Sequence, residues 1–257
     1  MVCFTPIRGR MMRITKVNEC GAPIYGDCSQ VVSKGFVSVE FQPQTDDGDD
    51  ITVRNAAGDI CVSVPSCKRV TGIDVTINFC SVDTDMFAMM TGRDPITNDQ
   101  GENIGFDIGD MPCAAGFALE LWTGVFSETA CDGTTGKARY GYLVLPWISG
   151  GVLNDFTVEN DALTFGVTGT ARTGSGWGEG PYDVQDHAGG AAPLHPGLDP
   201  DMFGRMLLTT VPPPEDECGC QPLGDRQHSG GEHGEDDGEH HGAPGGGEGE
   251  DALPIAA

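Results

Sequence analysis

The sequence predicts a mainly β protein: a β-sandwich or barrel with one short flanking helix and a disordered acidic C-terminal tail. Three observations lead there. Apolar and polar residues alternate in run after run, and a period of two gives a half-buried strand one apolar face. A single stretch carries helix punctuation at both ends. The composition changes abruptly at Pro212-Pro213-Pro214.

Along the chain, residues 11–17 form the first strand candidate. Val37, Val39 and Phe41 then alternate with Ser38 and Glu40. The acidic stretch 42–50 reads as a long loop between strands. Residues 51–54 and 60–64 are short strands joined by Asn55-Ala56-Ala57-Gly58-Asp59, a hairpin turn. Ile73, Val75, Ile77 and Phe79 alternate with Asp74, Thr76 and Asn78.

The helix follows over residues 83–92. Asp83 is its N-cap, Asp85 adds negative charge to the first turn, and Gly92 stops it. Val82 and Phe87 are spaced for a hydrophobic staple, and Met86, Phe87, Met89 and Met90 form the buried face.

Residues 104–108 and 207–211 are further strand candidates. Phe117, Leu119 and Leu121 alternate with Ala118 and Glu120, and Leu163, Phe165 and Val167 with Thr164 and Thr168. Residues 142–148 are apolar on both sides, so a helix or a neighbouring subunit must cover the second face. Pro146 there predicts an edge or a strand end, because proline cannot donate to a ladder. The Gly-rich stretch 173–196 reads as a long loop. These elements place one β domain at 1–214 and the acidic, Gly- and His-rich tail at 215–257.

Charge narrows the function. Lys and Arg number 14 against 39 Asp and Glu, for a formal charge of -25. Phosphate neutralisation needs clustered cations, so a nucleic-acid binder is excluded. From Glu215 onward there are twelve acids and one base, Arg226, with no aromatic residue. Such a segment buries too little apolar surface to offset its chain entropy. Residues 1–17 carry Arg8, Arg10, Arg13 and Lys16 without the apolar stretch of a secretory signal. The longest apolar run, residues 140–148, is about half of the roughly 20 residues that span a bilayer. The sequence thus predicts a soluble, non-membrane protein made in a cytosol.

Candidate chemistry is thin. Cys218-Gly219-Cys220 beside His228, His233, His240 and His241 offers sulfur and imidazole, but structural zinc sites separate paired cysteines by two to four residues. Asp46-Asp47-Gly48-Asp49-Asp50 lacks the glutamate that closes a calcium loop; Ala57 stands at the twelfth position. Cys61 with Cys67, and Cys20 with Cys28, are candidate disulfides or reduced buried thiols, and spacing does not assign them. Ser175 lies between glycines, with His187 and His195 downstream, but outside a strand–elbow–helix context. Glu159 with Asp161, and Glu120 with Glu128, are carboxylate pairs of the kind chance supplies in an acidic chain. The sequence therefore predicts no catalytic, cofactor-binding or metal-binding residues. A protein that assembles or binds is expected rather than an enzyme.

One resemblance accounts for these features together. Gly9-Arg10-Met11-Met12-Arg13-Ile14-Thr15-Lys16, Asn18-Glu19-Cys20-Gly21-Ala22-Pro23, Gly35-Phe36-Val37-Ser38-Val39, Ile60-Cys61 and Phe79-Cys80-Ser81-Val82-Asp83 occur in order. Phe117-Ala118-Leu119-Glu120-Leu121-Trp122-Thr123, Tyr140-Gly141-Tyr142 and Leu145-Pro146-Trp147 follow. Asp155-Phe156-Thr157-Val158-Glu159-Asn160-Asp161, Gly174-Ser175-Gly176-Trp177-Gly178, Gly180-Pro181-Tyr182-Asp183-Val184 and Cys218-Gly219-Cys220-Gln221-Pro222-Leu223 complete the series. In these the chain resembles the major tail proteins, the tail tube subunits, of long non-contractile-tailed phages of actinobacteria. Residues 224–257 depart from that pattern as an extension.

The resemblance implies a self-assembling structural virion protein, built in the host cytoplasm. Its partners would be other copies of itself in rings, hexameric in the family, stacked around a tape-measure protein and joined to tail-end proteins. DNA would pass through the lumen without specific binding. No catalytic residues carry over. The excess of acids suits a wall that repels DNA, and Glu40, Asp74 and Glu120 are candidates to line it. The other class consistent with the composition is a β-sandwich binding module, an adhesin or a carbohydrate-binding domain.

Overall fold

The structure is a computed structural model. It describes residues 4–224 except 82, 111, 113–115, 127–129, 134, 155, 157–163 and 188–189. The elements are β1 (Thr5–Val17), β2 (Gly26–Ser33), β3 (Phe36–Asp46), β4 (Ile51–Arg54), β5 (Ile60–Val64), β6 (Arg69–Phe79), α1 (Thr84–Thr91), β7 (Ile96–Thr97), β8 (Asn103–Gly105), β9 (Gly116–Phe126), β10 (Tyr140–Leu153), β11 (Phe165–Ala171), β12 (Gln185–His187), β13 (Gly190–Ala192), β14 (Arg205–Thr209) and β15 (Glu217–Leu223). Nine strands form one antiparallel sheet in the order β15-β2-β1-β9-β10-β11-β6-β3, with β14 also on β10. The protein is mainly β with one flanking helix, as the alternating sequence predicts.

Pro146 does not mark an edge. It sits inside the central 14-residue strand β10, at a register shift between Leu145 and Ile148. On one side β10 pairs with β9 along most of its length. On the other, Tyr140–Val144 pairs with β14 and Ile148–Leu153 with β11. The proline thus falls where the sheet forks and no ladder donor is needed, the bulge position that proline tolerates.

Two cores lie on opposite faces of the central strands. The first holds Met12, Ile14, Val31, Val75, Ile77, Leu119, Leu145 and Val167 beneath the helix residues Met86, Phe87, Met89 and Met90. The second holds Met11, Ala118, Trp122, Tyr142 and Val144, covered by Trp177, Val184, Leu194 and Leu198. Both faces of β10 are therefore buried by this chain itself. The Gly-rich stretch is mostly loop, with the small hairpin β12–β13, and supplies the cover that the sequence left open between a helix and a neighbour.

The helix matches its punctuation. The Asp83 carboxylate accepts from the Asp85 and Met86 N–H groups, and Gly92 at φ 71 donates to the Ala88 carbonyl. Val82, the other half of the expected staple, lies outside the described residues. Gly151 lets the helix end lie against β10, since any Cβ there would collide with the Met90 carbonyl.

Other expectations change. Strand β3 runs on to Asp46, so only residues 47–50 of the expected loop remain. A bulge between Phe36 and Ser38 turns Val37 out to solvent at 58% exposure and leaves Phe36 and Val39 on the core. The tail does not begin at Glu215: Glu217–Leu223 is strand β15, and Leu223 is buried. A short strand at a sheet edge needs little apolar content, so composition assigned it to the tail. Residues 225–257 lie outside the described residues.

Candidate functional site

Strands β4 and β5 pair only with each other. Ile51 faces Val64 and Val53 faces Val62. Past a register shift Ile60 stands opposite Arg54, next to this row. All five are about half exposed, from 45 to 59%. Thr52 and Ser63, paired with each other, take the other face.

The hairpin is built to hold its shape. The Asn55 amide oxygen accepts from the Ala57 and Asp59 N–H groups at 2.9 Å, and Gly58 adopts φ 93. At its base the Asp50 carboxylate accepts from the Ser66 N–H at 2.7 Å, and Lys68 pairs with Asp47 at 2.8 Å. The acids read for calcium thus serve the joint between the hairpin and the β3–β6 ribbon. An isolated two-stranded hairpin is marginal in water. Covering the remaining apolar area would contribute about 1 kcal/mol per side chain. The arm therefore leaves five large apolar side chains half exposed.

A second constellation lies inside the second core. Arg13 on β1 donates through Nε and Nη2 to the two Glu120 oxygens on β9 at 2.6 and 2.7 Å. Tyr142 on β10 donates to Glu120 at 2.5 Å. The guanidinium sits 3.2 Å from the Tyr182 ring centroid and 5.0 Å from that of Trp122. Tyr182 shares a 2.8 Å hydrogen bond with Thr15.

Burial opposes the charge on Arg13, but the Glu120 carboxylate and its hydrogen bond leave the guanidinium more basic than usual. Burial, joined by the Glu120 charge, pushes the Tyr142 hydroxyl well up; burial also raises Tyr182, against the opposing Arg13 charge. With Arg13 and Glu120 closed to solvent and satisfied by each other, the group pins the covering loop to the sheet through Tyr182.

Glu120 therefore cannot line a channel wall, because its carboxylate is consumed by Arg13 inside the core. The other two wall candidates differ. Glu40 is exposed. Asp74 is half-buried and accepts from Gln44 at 2.6 Å and Thr170 at 2.9 Å.

The remaining sequence candidates disperse. Ser175 is buried and donates to the Gly21 carbonyl at 3.1 Å while accepting from the Trp177 N–H, which makes it a loop brace. Cys20, Cys61 and Cys67 are free, so neither candidate disulfide forms, and these thiols are exposed rather than buried. Cys28 instead joins Cys220, 192 residues away, with Cα atoms 4.7 Å apart. Spacing could not reveal this pair; only the pairing of β15 with β2 brings it together. Cys218 is free and exposed. Glu128, Glu159, Asp161 and the four tail histidines lie outside the described residues. Among the described residues no helix is long and apolar enough to cross a membrane. No protein-family model and no curated protein matches this chain.

Proposed function

We propose that the protein is a structural subunit of a phage tail: copies form rings that stack into a tube, the conduit for DNA ejection, around a tape-measure protein. One observation carries this reading. A braced two-stranded arm presents Ile51, Val53, Ile60, Val62 and Val64 to solvent, while the domain that bears it is well packed. Apolar stripes at a strand pair are interaction surfaces, and stacked copies of one chain would cover each stripe. The sequence resemblance to tail tube subunits supports the same reading, as does the mainly β architecture. In it the protein works by assembly and has no catalytic role, and its place is the virion.

Negative-stain imaging of the purified full-length chain tests this. Tubes of uniform diameter are expected. Val53→Asp with Val62→Asp should abolish them while leaving the Tm within a few degrees, since both side chains are half exposed. Normal tubes from that double variant would show that the stripe is not the contact. A persistent monomer that binds glycans would instead favour a carbohydrate-binding module.

A further inference from the structure

Strand β15 closes the outer edge of β2, and its hold is uneven. Its ladder to β2 has three paired positions, Glu217 with Val32, Gln221 with Gln30 and Leu223 with Gly26, interrupted by two register shifts. By contrast β1 and β9 pair at eleven positions. Two further ties come from the start of α1. The Asp83 carboxylate accepts from the Gly219 N–H at 2.9 Å and the Asp85 carboxylate from the Cys220 N–H at 3.0 Å. The Gln30 side chain on β2 also donates to the Pro222 carbonyl at 3.0 Å, and the covalent tie joins Cys28 to Cys220, both half-buried. Six other described cysteines are exposed and unpaired. Among the described residues the one closed pair is thus at the least continuous edge of the sheet.

We propose that Cys28–Cys220 is a thiol–disulfide latch on the C-terminal strand. Closed, it holds β15 on β2; opened by reduction, it releases β15 and exposes the outer edge of β2 as an unpaired strand edge. Closing takes two electrons and two protons from the Cys28 and Cys220 thiols. A small-molecule disulfide accepts them and leaves as two thiols, through a mixed disulfide that the second cysteine resolves. A dithiol reductant reverses the step and is itself oxidised to its disulfide. The main sheet should not depend on the latch, because β9 pairs with β1 at eleven positions and with β10 at eight, between two cores. Local opening at an edge is the low-stability end of a fold.

Hydrogen exchange read by mass spectrometry on the full chain tests the latch. The protein is compared as oxidised by glutathione disulfide and as reduced by dithiothreitol, with the state of Cys28 and Cys220 mapped by alkylation. On reduction, exchange in residues 217–223 and in the β2 amides that face them should accelerate about tenfold or more, while β9 and β10 keep their protection. Re-oxidation should restore the first state. Cys28→Ser with Cys220→Ser should behave as the reduced protein whatever the oxidant; if that variant does not fold, the reduced native chain still gives the answer.

Unchanged protection of 217–223 with both thiols shown free would overturn the proposal. So would a rise that spreads equally through β9 and β10, since the bond would then be a staple of the whole fold. A third result would also sink it. An Asp85 carboxylate oxygen lies within 4.8 Å of both sulfurs. If reduced protein takes up one equivalent of zinc and keeps β15 protected, the three groups form a metal site and not a latch.

Discussion

At the scale of the residue, the Arg13–Glu120 pair shows how burial inverts the meaning of a charge. A glutamate between Leu119 and Leu121 reads as the polar face of a half-buried strand. Here that face is also covered, and the carboxylate is accepted inside only because a bidentate guanidinium and a phenol meet it. Removing one partner leaves the other charged and dry, which costs about 3–5 kcal/mol. Glu120→Gln should therefore lower stability by that order in a urea titration. Arg13→Met combined with Glu120→Leu should recover most of the loss, because well-packed apolar replacements of a buried pair are often neutral. A Glu120→Gln variant as stable as the native chain would show that the pair is solvated.

The tyrosines add a pH signature. Both keep their phenolic protons in the folded state above the ordinary value of 10.0. Below about pH 10 folded and unfolded chains hold these protons equally, and this term is flat. Above it the unfolded chain releases them and the folded chain does not. Stability then falls as pH rises, by about 1.4 kcal/mol per pH unit for each tyrosine. The expected result is alkaline unfolding accompanied by a step in phenolate absorbance. Tyr142→Phe should make the decline shallower by about one proton; an unchanged slope would mean that Tyr142 titrates freely in the folded state.

At the scale of the element, the N-terminus of α1 does two jobs. Asp83 caps the helix and also receives the Gly219 N–H from β15. Asp83→Ala should cost about 1–2 kcal/mol, the loss of a cap together with an unpaired donor, measured as a shift in the denaturant midpoint. A value near zero would mean that water replaces both bonds. This also marks what was legible in the sequence. The helix was readable because its signals are local: Asp83, Asp85, Gly92 and the run of methionines. The hairpin β4–β5 was readable because Asn55 to Asp59 sets its turn. Strand β2 was not, because Val31 enters one core and Val32 the other, and adjacent apolar residues show no alternation. Strand β15 was hidden because Gly219, Gln221 and Pro222 break any apolar alternation, and Cys28–Cys220 by its 192-residue separation. The apolar stripe on β4–β5 was legible as two strands, but its exposure was not: alternation predicts that one face is buried without saying by which chain.

At the scale of the whole molecule, an assembly reading must contend with the charge. Each copy carries 39 acids against 14 bases, so copies repel one another on approach. The surface offered for contact is apolar, and its attraction is not weakened by salt. The two effects respond differently to ionic strength. Screening shortens from about 30 Å at 0.01 M to about 3 Å at 1 M, which removes the repulsion and leaves the apolar contact in place. Assembly should therefore increase with salt, read as the fraction of sedimenting tubes across that range. Truncation after Leu223 removes nine acids and Arg226 while keeping β15 and its ties. It should shift the onset of assembly to lower salt without changing the Tm. Tubes that dissociate as salt rises would mean that ion pairs hold the copies together, and the contact would then have to be sought among the few lysines and arginines rather than on the β4–β5 stripe.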